Sequence, residues 1–211
     1  MPTKTPSGKG SKARSAPTTT PAKKAKVTPK KTPTAKTKPS AAKKSTAIPA
    51  KGKGAIATNE LKVGNRAPAF SLPNEKGQVV KLSELKGKKI VLFFYPKDDT
   101  SGCTKEACSF RDGLQAIRKK GAIVLGVSGD SVASHQKFSN KYDFNFPLLS
   151  DESKAMIQTY GVWKEKSMYG RKYMGIERTT VLIAQNGTIS HVFPKVKVDG
   201  HYEEVLKALS E

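Results

Sequence analysis

The first fifty-nine residues contain no aspartate, no glutamate and no aromatic side chain; the first aromatic of the chain is Phe70. That shortage argues against a folded N-terminal domain, because a segment with so little apolar surface cannot offset its chain entropy by burial. Long apolar runs are missing as well. No window approaches the roughly 18 apolar residues of a membrane span, and no N-terminal apolar stretch resembles a secretory signal. Cysteine is scarce, with only Cys103 and Cys108. In a non-secreted chain such a pair is more often catalytic or metal-binding than a structural staple. No CxxC motif and no Gly-rich phosphate loop occurs. His135, His191 and His201 are scattered, without metal-ligand spacing to the two cysteines, which argues against a zinc site. The chain is expected to be soluble and intracellular, with no membrane contact.

What is present is positive charge, unevenly placed. Of the formal net charge of +22, fifteen units come from the Lys and Arg of residues 1–59, which also hold eight of the thirteen prolines. This tail is expected to be disordered. The remaining segment, residues 60–211, has the size of a single domain with one sizeable core. Pro21 to Lys31 is the densest basic stretch and shows no amphipathic period. Such a tail can neutralise several phosphates and give non-specific, salt-sensitive DNA contact. Thr28 to Lys31 (TPKK) resembles the short basic turns of linker-histone tails, and the cluster also fits a nuclear import signal. Three other readings stay open: a solvated tail that aids solubility, an organellar transit peptide and a bacterial nucleoid-binding tail. Transit peptides tend to be Arg-rich and amphipathic, whereas this tail has only Arg14 and is studded with proline. The expected location is the nucleus, with cytoplasm, bacterial nucleoid or plastid as alternatives.

In the domain, Pro68 to Leu72 reads as a strand and Val79, Val80 and Leu82 as its hairpin return beyond Gly77. Ile90 to Tyr95 (IVLFFY) is a continuous apolar run, the mark of a central strand buried on both faces. Ala107, Phe110, Leu114 and Ile117 place one core-facing stripe on a helix from Thr104 to Lys119. Ile123 to Ser128 predicts a second buried strand, Ser131 to Tyr142 a helix, Pro147 to Leu149 a short strand and Ser153 to Tyr160 a helix ended by Gly161. Thr179 to Ala184 and Ile189 to Phe193 form a hairpin about Asn186–Gly187, and Tyr202 to Leu209 is a closing helix. The alternation predicts an α/β fold with a mixed central sheet flanked by helices. Trp163 and Tyr169, in the polar stretch WKEKSMYGRKY, read as pocket-lining or partner-contacting residues, with core packing the plainer reading for Trp163.

Phe94 to Phe110 reads FYPKDDTSGCTKEACSF. Cys103 follows a buried strand and a loop, then opens a helix, so its sulfur faces unpaired backbone N–H groups and the positive end of the helix dipole. Both favour thiolate, the nucleophilic form. The plain alternative is a small buried hydrophobe at a strand–helix junction. Thr100 lies three residues upstream of the sulfur.

The spacing of Pro96, Thr100 and Cys103 is the P-x-x-x-T-x-x-C signature of the peroxiredoxins, and YPKDDTSGCTKEAC resembles the peroxiredoxin Q, or bacterioferritin comigratory protein, branch. Tyr173 to Thr180 (YMGIERTT) resembles the family segment carrying a catalytic arginine, which falls on Arg178. The resemblance covers most of Leu61 to Glu211 and none of the tail; with the tail in front, the whole resembles a nuclear thiol peroxidase. It implies a thioredoxin-like fold and a thiol peroxidase reducing hydrogen peroxide and organic hydroperoxides. Cys103 is then the peroxidatic cysteine, Thr100 bonds thiolate and peroxide, Pro96 shields the sulfur, and Arg178 stabilises developing charge. Glu106 orients Arg178 or belongs to a solvated helix face. Ser101 departs from the proline common in that branch.

Cys108 matches the resolving position of many members of that branch; otherwise it is a buried helix-face thiol. Five residues along a helix separate the two Cα atoms by roughly 8–9 Å, whereas a disulfide tolerates about 7 Å. A Cys103–Cys108 bond therefore requires Thr104 to Ser109 to unwind. The resemblance further implies thioredoxin as reductant, no metal, flavin or haem, and a monomer. The alternatives are a chromatin-associated scaffold that has lost catalysis, and a peroxide sensor or chaperone that signals to a partner.

Overall fold

The computed structural model describes residues 61–211 except Tyr169. The tail, with its expected disorder, nuclear address and DNA contact, lies outside the described residues, as does the role considered for Tyr169.

The apolar run after Lys88 does what its composition demands. Strand β3 (Lys89–Phe94) is buried from Ile90 onwards. Alternate residues face opposite sides of a strand: Val91, Phe93 and Tyr95 enter one apolar cluster, while Ile90, Leu92 and Phe94 enter the other. Around it are β4 (Ala122–Ser128), β5 (Leu148–Ser150), β8 (Thr179–Ile183) and β9 (Ile189–Phe193), in the order β5-β4-β3-β8-β9. β4 runs parallel to β3 and to β5, whereas β8 is antiparallel to β3 and to β9. This is the expected mixed sheet.

Helices cover the first face. α1 (Ser101–Asp112) and α2 (Leu114–Lys119) supply Cys103, Ala107, Phe110, Leu114 and Ile117; α3 (Val132–Tyr142) supplies Phe138, and α5 (His201–Ala208) supplies Val205. The second face is closed by α4 (Ala155–Thr159) with Met156 and Ile157, and by Ala67 and Phe70. A short hairpin, β1 (Ser71–Pro73) with β2 (Val79–Lys81), lies beside the sheet, and Leu82 opens a 3-10 turn rather than extending β2. Among the described residues no helix is long and apolar enough to cross a membrane.

Two expectations need correction. The strand expected over Pro68 to Leu72 begins only at Ser71. The single helix over Thr104 to Lys119 starts three residues earlier and breaks at Gly113, where a side chain would overlap the Tyr202 ring, whose hydroxyl donates to the Gly113 carbonyl at 3.2 Å. The polar stretch after Gly161, for which no element was expected, is a hairpin, β6 (Trp163–Met168) with β7 (Arg171–Ile176). Most of β7 is exposed, so the two strands carry no apolar alternation by which to read them.

Candidate active site

β3 ends at Phe94, and five residues after Tyr95 carry the chain to the start of α1. Thr100 is the N-cap, with extended backbone and no side-chain cap bond; its hydroxyl instead donates to the Lys97 carbonyl at 3.2 Å, so its one proton does not go to the Cys103 sulfur as expected. Cys103 follows in the first turn, 2% exposed. Here the helix dipole and the first unpaired N–H groups favour negative charge.

Arg178, in the short link between β7 and β8, reaches across to α1. Its Nη2 donates to Cys103 Sγ at 3.3 Å, and its Nη1 donates to Glu106 Oε2. Close approach depends on Gly102: a Cβ there would lie 3.3 Å from Arg178 Nη2, tighter than most such contacts. Glu106 is buried, so it orients the guanidinium and is not part of a solvated face. Burial pushes its carboxyl up to about 7, although the Arg178 charge and hydrogen bond hold it down. Glu106 Oε1 is buried without a hydrogen-bond partner among the described residues, consistent with burial outweighing the ion pair. Burial pulls the Arg178 pKa down, but the charges of Glu106 and Cys103 raise it beyond its ordinary value. The guanidinium is thus a fixed cation shared between a carboxylate and a sulfur.

The hairpin brings a residue that sequence reasoning missed. Burial and then the Arg178 charge lower the Lys166 pKa, while Glu177 and Cys103 raise it, so its ammonium shares the electrostatic field of the site. Lys166 lines an open groove of about 280 Å³ with Pro96, Trp163, Tyr173 and Met174. Pro96 is exposed on this groove. Trp163 packs partly against the second core cluster, beneath the Lys154 ammonium at 5.6 Å from its ring centre. Lys166 gave no signal because it is one lysine among many in a strand that was not recognised.

Cys108 also sits on α1, half-buried, and both cysteines are free thiols on an unbroken helix. The three histidines are apart. His135 is wholly buried against Asp98, His201 bonds Thr180 Oγ1 at 2.8 Å, and His191 lies 3.4 Å from Glu211.

A buried sulfur at a helix start with an arginine donating to it is an arrangement that suits thiol-based redox chemistry. Residues 63–192 match the AhpC/TSA family. The chain is 54% identical over 149 residues to the putative peroxiredoxin Bcp of Coxiella burnetii, spanning 71% of this chain and 99% of that protein. It is 44% identical over 151 residues to peroxiredoxin Bcp of Bacillus subtilis, spanning 72% and 96%. A solved peroxiredoxin Q of Xanthomonas campestris superposes with a TM-score of 0.65 at 44% identity, over 67% of this chain and 89% of that one. A second Xanthomonas campestris structure, of the bacterioferritin comigratory protein in trapped intermediate/ligand complexes bearing on its alkyl peroxide reduction activity, gives 0.64 at 44%, over 67% and 90%.

The chain belongs to the AhpC/TSA family as a peroxiredoxin of the Bcp, or peroxiredoxin Q, type. It is a peroxidase with the thioredoxin-like fold of that family.

Proposed function

We propose that Cys103 is the peroxidatic cysteine and that hydrogen peroxide and organic hydroperoxides are its substrates. The observation that carries this is the Arg178 guanidinium, held by Glu106 and donating to Cys103 Sγ at 3.3 Å. The thiolate attacks the terminal oxygen of ROOH. The O–O bond breaks, the sulfur becomes a sulfenic acid, and the leaving oxygen takes a proton to depart as ROH. Arg178 stabilises the charge that grows on that oxygen, and it is placed in advance, so little reorganisation is needed. Thr100, whose proton goes to Lys97, keeps lone pairs to accept a hydrogen bond from the peroxide O–H. The reported alkyl peroxide reduction of the Xanthomonas campestris protein supports organic hydroperoxides as substrates.

Cys108 is the proposed resolving cysteine. Its thiol condenses with the sulfenic acid, releasing water and forming the disulfide, and thioredoxin then reduces that disulfide by exchange. Peroxide consumption with thioredoxin, in wild type and in Cys103→Ser, tests the scheme. Wild-type turnover lost in the variant is expected, and turnover retained by Cys103→Ser would overturn it. The tail is proposed to give a nuclear address and non-specific DNA contact, supported by its fifteen cations and lack of acids. A salt-dependent gel shift that survives removal of residues 1–59 would refute the DNA contact.

A further inference from the structure

The loop that delivers Cys103 carries two adjacent aspartates with opposite fates. Asp98 is buried. Its carboxylate accepts from Tyr95 Oη at 2.8 Å, from Ser134 Oγ at 2.7 Å and faces His135 Nδ1 at 2.8 Å. Its backbone N–H donates to Asp130 Oδ2 at 2.8 Å, an oxygen that also accepts from Ser128 Oγ. His135 is in turn fixed by Nε2, 3.2 Å from the Leu149 carbonyl. Asp99 turns outward and accepts from Lys141 Nζ at 2.7 and 2.8 Å and from Tyr142 Oη at 2.7 Å.

Ser134 and His135 lie in the first turn of α3, and Lys141 and Tyr142 in its last. Six residues of helix separate His135 from Lys141, a rise of about 9 Å. One helix therefore grips two consecutive residues at its two ends. The turn between the two grips is made at Asp99, which has φ 54°, in the left-handed region. Asp is among the few L-residues that tolerate it. The next residue is Thr100, and Cys103 follows in the first turn of α1.

The geometry points to α3 as a positioning mount for the peroxidatic loop: Asp98 with His135, and Asp99 with Lys141 and Tyr142, fix Thr100 and Cys103 relative to Arg178. None of these groups touches the peroxide. The inference rests on Cys103 being the peroxidatic cysteine. A mount that holds geometry acts on the rate of peroxide attack, because a misplacement of about 1 Å can cost on the order of a hundredfold.

The test uses the full chain, reduced, with the rate constant for hydrogen peroxide read by stopped flow. The surface variant Lys141→Met with Tyr142→Phe is expected to lose about tenfold, and the isosteric Asp98→Asn up to about a hundredfold. Lys141→Arg, which keeps the donor and charge, is expected to stay within about twofold of wild type. The exposed pair adds little to stability, so the surface variant should melt like wild type; a packing role alone would leave its rate unchanged. Wild-type rates in the surface variant overturn the mount, whether or not Asp98→Asn folds. A wild-type chain that does not react with peroxide would instead overturn the assignment of Cys103.

Discussion

Replacing Glu106 with glutamine removes a charge while keeping the shape of a buried side chain. The ordinary value of 4.5 and the raised value of about 7 differ by an amount worth about 3 kcal/mol of folding free energy. The sign follows from which state holds the proton. Between these two pH values the folded protein keeps a proton that the unfolded chain has lost. The stabilisation is therefore full below pH 4.5, declines as pH rises and is gone above about 7. Glutamine stays neutral throughout, so Glu106→Gln should match wild type near pH 4.5 and gain on it by up to about 3 kcal/mol by pH 8. His201, whose pKa burial lowers, acts in the opposite sense: its share of stability is lost as pH falls below its unfolded value. That contribution is common to both proteins and cancels in the difference. Urea unfolding of the reduced proteins at pH 4.5, 6 and 8 reads the effect. A difference that stays constant, or a variant that weakens as pH rises, would show that the Arg178 ion pair outweighs desolvation and refute the reasoning. Peroxide kcat/KM should fall about tenfold in the same variant, because a neutral amide oxygen holds the Arg178 guanidinium less firmly than a carboxylate does.

Peroxide treatment should yield an intramolecular Cys103–Cys108 disulfide by mass spectrometry, with faster amide exchange over Thr104 to Ser109; its absence would make Cys108 a packing residue. Gly102→Ala should press on Arg178 Nη2 and lower peroxide kcat/KM by about tenfold, with a melting temperature close to wild type. Gly113→Ala, whose new methyl would overlap the Tyr202 ring, should cost about 1–3 kcal/mol of stability in chemical denaturation while sparing the peroxide reaction.

The central strand and the stripe of α1 were legible because burial on two faces, or on one, writes itself directly into apolar spacing. The motif placed Cys103 and Arg178 in one site, and the structure brings Arg178 onto the sulfur from 75 residues away, whereas Thr100 turns to Lys97 and Pro96 is exposed. The hairpin of β6 and β7 was not, because strands exposed on most positions need no apolar period. The break at Gly113 was hidden for another reason: the apolar spacing runs on across it from Phe110 to Leu114 and Ile117. The Asp98–His135 network was equally invisible, since a lone histidine and a loop aspartate announce no pairing until the fold joins them.

The hydroxyl of Thr100 turns back to Lys97 and so leaves the start of α1 without the side-chain brace that a threonine there often supplies. A helix lacking that brace frays more readily, by about 1 kcal/mol. In the proposed cycle the first turns must melt before the two sulfurs can meet. The loosely secured end then sets how long the sulfenic acid waits, and hence how often a second peroxide arrives before the partner thiol does.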